Sequence, residues 1–202
     1  MRSRTAPLLA VALLALALAA PAAAETWTID KPHTNVAFSV RHFVTNVPGS
    51  FRDFGGQIVY DAANPAASSV ELTVQAASID TNNDQRDNHL RSPDFFEVEK
   101  YPTWTFTSKK VAPLGDDTLA VTGDLTIKGV TKEVTVPVQV LGVLGDKAGF
   151  QTEFTIDRKE YGVTWNRALD AGGAVLGDEV TILLTVEANR QKPPAEPAAS
   201  GE

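Results

Sequence analysis

An all-β fold of roughly eight antiparallel strands, with one short helix at about residues 83–91, is what this sequence predicts. Three observations predict it. Apolar and polar residues alternate with a period of two along most of the chain from Trp27 onward. The segments between the alternating runs are short and rich in glycine, asparagine and aspartate. One stretch, Asn83 to Arg91, breaks the alternation and carries helix start and stop signals. A strand that alternates in this way packs one face on a core and shows the other to water.

The N-terminus reads as an address. Arg2 and Arg4 precede an apolar run from Leu8 to Ala20, and Ala22-Ala23-Ala24 offers a small-residue cleavage site before Glu25. This is the pattern of a signal peptide over residues 1–24, so a periplasmic protein is expected. The alternative is an uncleaved anchor, but the run is short for a bilayer. No cysteine follows it, which excludes a lipid-modified cysteine at the cleavage point. Ser3 separates the two arginines, which favours a general secretory route over a twin-arginine one.

Cleavage after Ala24 removes two arginines and no acids. It leaves 178 residues with 16 basic and 25 acidic side chains, a net charge near −9. That length suffices for one domain with a real core. The charge disfavours nucleic acid and anionic membrane surfaces as partners, and no stable membrane insertion is expected. With no cysteine, disulfides, iron–sulfur centres and thiolate–zinc sites are excluded.

The strands follow in order. Val36, Phe38, Val40 and His42 share one parity. Gly56 to Tyr60 is short but strand-like. Val70, Leu72, Val74 and Ala76 alternate with Glu71, Thr73 and Gln75. Trp104, Phe106 and Ser108 alternate with threonines. Leu119 to Ile127 and Val134 to Val140 flank Lys128-Gly129, a tight-hairpin signal. Phe150, Thr152, Phe154 and Ile156 form the next set, and Val180, Ile182, Leu184 and Val186 close the series. Asp116-Asp117, Gly145-Asp146 and Gly177-Asp178 read as turns. Gly55-Gly56 and Gly172-Gly173 precede no helical pattern, so they read as bends or bulges rather than phosphate loops. The helix has Asn83 or Asp84 as N-cap and Pro93 as its stop. Residues 189–202, rich in proline, alanine and charge, read as a disordered tail after a domain over 25–188. Eight strands suit a closed barrel holding one small ligand, but alternation fits a two-layer sandwich equally well.

Catalytic and metal-binding constellations are sparse. His33 and His42 differ in parity and would face opposite sides of an unbroken strand. Asp87, His89 and Ser92 suggest a hydrolytic triad, yet residues two apart on a helix do not face each other. No Gly-x-Ser-x-Gly elbow exists. No catalytic residue, metal or cofactor is therefore expected.

Four pieces occur in order: SIDT at 78–81, RDNHLRSPDFF at 86–96, YPTWTF at 101–106 and GDLTIKGVTK at 123–132. Together they resemble the YceI-like family of lipocalin-like periplasmic proteins, over about Trp27 to Glu187. Thr34 stands where many relatives have serine, which keeps the hydroxyl. The resemblance implies a lipocalin-like barrel rather than a sandwich. It also implies an apolar tunnel for a long-chain isoprenoid or other amphipathic lipid, and allows a homodimer. The tunnel-wall candidates are Val36, Phe38, Val40, Phe51 and Phe54 on the early strands. Leu90, Phe95 and Phe96 join them around the helix, and Trp104, Phe106, Val121, Leu125 and Phe154 on the later strands. The helix would act as a lid or mouth, with Arg86, His89 and Arg91 meeting a polar or phosphorylated head group. The competing role for Arg86 and Asp87 is structural, pinning the helix to the rim. Two rival functions stand beside the carrier. One is a stress or interaction module whose interior is merely filled. The other is a lipid-processing enzyme, which would need a nucleophile or base beside the ligand.

Overall fold

The structure, a computed structural model, describes residues 24–115, 117–167 and 175–191. Three pairs of short strands follow the N-terminus. They are β1 (Glu25–Ile29) and β2 (Asn35–His42), β3 (Thr45–Phe51) and β4 (Phe54–Tyr60), and β5 (Ser69–Gln75) and β6 (Ile79–Asp80). The helix α1 (Asp84–Arg91) comes next. Five long strands complete the chain: β7 (Thr103–Gly115), β8 (Thr118–Ile127), β9 (Val130–Leu144), β10 (Lys147–Asp157) and β11 (Leu176–Arg190).

Each early pair is one stave of a barrel, broken in the middle. A 3-10 turn at Lys31–His33, with Pro32 unable to donate to a ladder, separates β1 from β2. Arg52 and Asp53 separate β3 from β4, and a 3-10 turn at Ala76–Ser78 separates β5 from β6. All pairings are antiparallel, and β11 pairs with β10 on one side and with both β1 and β2 on the other. The eleven segments thus make eight staves of a closed up-and-down barrel. Closure leaves no long unpaired edge.

The expected hairpins form at Lys128-Gly129, where both residues have positive φ (48° and 75°), and at Gly145-Asp146. Both central residues of a tight hairpin turn need this conformation. Gly177-Asp178 is a correction: it lies inside β11, at an irregularity in the pairing with β2 between Leu176 and Val180. Gly177 is there because the Arg41 side chain and backbone press against it, within 3.4 Å of where a Cβ would sit. Gly55-Gly56 is a second correction. It forms no bulge, since β4 pairs with β5 in unbroken register. A Cβ on Gly56 would meet the Glu71 carbonyl oxygen at 2.1 Å, so glycine lets the two strands approach. The last strand also runs through Asn189 and Arg190, beyond the expected domain end at 188. Gly172-Gly173, the signal peptide except Ala24, Asp116 and the tail after Gln191 lie outside the described residues.

The helix is capped as expected. The Asn83 side chain accepts from the Arg86 N–H at 2.9 Å, and the helix stops at Arg91 before Ser92-Pro93. β5 pairs with β7 but β6 does not. The chain joining them, α1 and residues 92–102, spans that end of the barrel together with the β2–β3 hairpin and the segment after β10.

Candidate functional site

The inward faces of the staves do not meet. They surround a cavity of about 630 Å³ running from His42 and Val47 near the helix to Tyr60, Ser69 and Leu119 toward the opposite end. Ligand pockets fall in the range of about 300–1,000 Å³. An engineered cavity near 150 Å³ already takes benzene. The hollow shows in the side chains: Phe38, Val40, Phe106, Phe154, Ile182 and Leu184 point inward yet are only half-buried. In a filled core they would be fully covered.

The opposite end is packed. Trp27 and Ala188 are fully buried there, and the Arg190 guanidinium lies 4.7 Å from the Trp27 ring centroid while pairing with Glu25. At the helix end an aromatic cluster forms the wall. Phe51 and Phe96 meet Trp104 edge-on at 4.8 and 4.7 Å, and Phe95 lies 5.0 Å from Trp165.

Twelve of the thirteen apolar candidates line this cavity: Val36, Phe38, Val40, Phe51, Leu90, Phe95, Phe96, Trp104, Phe106, Val121, Leu125 and Phe154. Phe54 does not. The stave break at Arg52–Asp53 shifts the side-chain parity and leaves Phe54 in the solid cluster with Trp27 and Ile29. Arg86 and His89 also line the cavity, whereas Arg91 does not. The Arg91 guanidinium donates to the carbonyls of Ala77 and Ile79, both at 2.8 Å, and so fixes the helix to the β5–β6 break. Arg86 is largely committed as well, donating to the Thr81 hydroxyl and carbonyl at 2.7 Å each.

Asp87 is buried and accepts from the Thr81 N–H (3.0 Å) and hydroxyl. His89 Nε2 lies 2.9 Å from Asp94, with its ring edge-on to Phe95 and Trp165. The Ser92 hydroxyl donates to the His89 carbonyl. Asp87, His89 and Ser92 therefore serve three separate partners and form no relay. His33 and His42 sit at opposite ends of β2. His33 contacts Asp30, and the Asp30, His33 and Glu187 donor atoms converge within 4.8 Å. Lys147 already supplies the cation, bonding Asp30 and Glu187 at 2.6 Å each. That contact, with His33 second, holds the Asp30 carboxyl down to about 2. The Thr34 hydroxyl bridges the Glu187 N–H and C=O at 3.2 Å, which ties the β1–β2 break to β11.

Three polar atoms of the cavity wall are buried without a hydrogen-bond partner: Trp104 Nε1, Thr152 Oγ1 and Tyr161 Oη. Sequence reasoning left Tyr161, Val163 and Trp165 out of the wall because they lie in an irregular segment with no period to read. Ile182 and Leu184 had a readable signal in the alternation of the last strand.

Comparison with known proteins places these features in context. A YceI-like domain model matches residues 27–188. Protein YceI of Escherichia coli is 41% identical over 182 residues, 86% of this chain and 92% of that one. A UPF0312 protein of Pectobacterium atrosepticum is 39% identical, over 92% of this chain and 96% of its own. Among solved structures, BcnA of Burkholderia cenocepacia superposes with a TM-score of 0.74 at 30% identity, over 80% of this chain and 99% of that one. A polyisoprenoid binding domain from Saccharophagus degradans has the same fold, with a TM-score of 0.66 at 17% identity over 82% of this chain and 98% of that one.

Proposed function

The chain belongs to the YceI-like family, and on that footing we propose that it carries or sequesters a long-chain isoprenoid or similar amphipathic lipid in the periplasm. The observation that carries this reading is the apolar cavity of about 630 Å³ inside the barrel. A carrier of this kind binds its cargo by burial and performs no chemistry on it. Each methylene taken from water contributes about 0.8 kcal/mol, so ten contribute about 8 kcal/mol before ordering costs. Micromolar affinity corresponds to about the same free energy. Burial of the chain is thus the main source of affinity, and the polar end adjusts selectivity. The structural neighbour described as a polyisoprenoid binding domain supports the ligand class by fold. The helix α1 and the aromatic cluster beneath it form the mouth. Arg91 is dropped from the head-group site, since its donors hold the helix.

Native mass spectrometry of the protein recovered from its own cells tests the proposal. A mass lacking residues 1–24, with an intact lipid bound and unchanged, is the expected result. A chain that carries no lipid and gains no thermal stability from isoprenoid alcohols would leave the interaction-module reading in its place.

A further inference from the structure

Two hydrogen-bond donors face the cavity with nothing to donate to. Tyr161 is only 2% exposed and its hydroxyl has no partner; Trp104 Nε1 has none either. The two side chains share one apolar cluster around Leu125 and Ile127. Register brings them there: Thr105 pairs with Thr126, which sets Trp104 beside Ile127, while Tyr161 ends the 3-10 turn following β10. Phe51 and Phe96 hold the indole from two sides. Burial pushes the Tyr161 phenol above its usual range, with Glu160 adding to this, so the hydroxyl keeps its proton. Buried donors are rarely left unsatisfied in an apolar place. Two on one side of a hollow mark where a guest's oxygen belongs.

The charge of that guest follows from the cations nearby. Arg158 is buried in the same wall, but its donors go to the carbonyls of Val163, Trp165 and Gly177 and to Asp178. The Arg86 Nε and one terminal nitrogen go to Thr81. An anion placed beside Tyr161 would be buried without a dedicated cation, which is costly.

We infer that the cavity selects a lipid whose polar end is an uncharged hydrogen-bond acceptor, an alcohol or carbonyl oxygen, received by Trp104 Nε1 and Tyr161 Oη. This rests on the carrier reading and narrows it: a diphosphate-headed chain is the wrong cargo. The two donors act as positioning and selectivity groups, with the chain supplying most of the affinity.

Three probes of equal carbon number test it on the full mature chain: geranylgeraniol, geranylgeranyl diphosphate and the hydrocarbon phytane. The alcohol is expected to bind tightest. Tyr161→Phe should weaken the alcohol about fivefold, the worth of one ordinary hydrogen bond, and leave phytane unchanged. Trp104→Phe, which keeps an aromatic ring and removes the N–H, should weaken the alcohol further than it weakens phytane. Diphosphate binding as tight as the alcohol, or equal losses for alcohol and phytane in Tyr161→Phe, would overturn the inference while leaving the carrier intact. Binding of none of the three probes would remove the carrier reading and this inference with it.

Discussion

At the scale of single residues, Asp87 anchors the mouth. Its carboxylate takes both the N–H and the hydroxyl of Thr81, whose hydroxyl and carbonyl in turn receive Arg86. Substitution Asp87→Ala leaves a buried N–H without an acceptor, an error worth about 2 kcal/mol. Urea unfolding should register that loss, and hydrogen exchange should show α1 opening before the barrel. An unchanged midpoint would mean that Asp87 merely decorates the rim. Much at this scale was legible. The Asn83 cap, the Pro93 stop and a structural role for Arg86 and Asp87 follow from local chemistry that needs no tertiary context. The fate of Arg91 was not legible, because its acceptors, Ala77 and Ile79, belong to a strand break that has no local signature. Phe54 failed for the same reason, lying just past the break at Arg52–Asp53.

At the scale of elements, the three broken staves distinguish this barrel from a set of eight straight strands. Alternation marks where a strand runs but is silent on where closure forces it to bend. Only Pro32 gave a local hint. The β1–β2 break is held by charge: Lys147, at the start of β10, bonds Asp30 at the break and Glu187 on β11. Lys147 first and His33 second lower the Asp30 carboxyl from its usual 3.8 to about 2. A carboxylate depressed by folding stabilises the native state above its unfolded value, and that stability is lost as pH falls through the folded value. Lys147→Met should therefore be less stable than the parent at neutral pH. The gap should close as the pH falls from about 4 to about 2. Unfolding midpoints measured across that window check this. A gap that stays constant with pH would show that the pair contributes through packing alone.

At the scale of the whole molecule, the barrel is closed and hollow, and sequence spoke to these two properties unequally. The count of alternating runs foretold closure once family resemblance had excluded a sandwich. Hollowness has no sequence signature of its own, since Phe106 or Ile182 reads the same whether it touches another side chain or empty space. Most of the wall was nevertheless named correctly, because parity alone says which residues face inward. A solid core resists added volume at a cost of about 1–3 kcal/mol, whereas a cavity accepts it. Ile182→Trp should thus shift stability by less than about 1 kcal/mol and weaken lipid binding at least about tenfold. The barrel's purpose as a container is tested most directly by calorimetric titration of geranylgeraniol into the lipid-stripped protein, with Ile182→Trp as its control. The expected result is one-to-one binding with a negative heat-capacity change, the mark of apolar surface leaving water, greatly weakened in the filled variant. Absence of binding to the parent, or equal binding to parent and variant, would contradict the account.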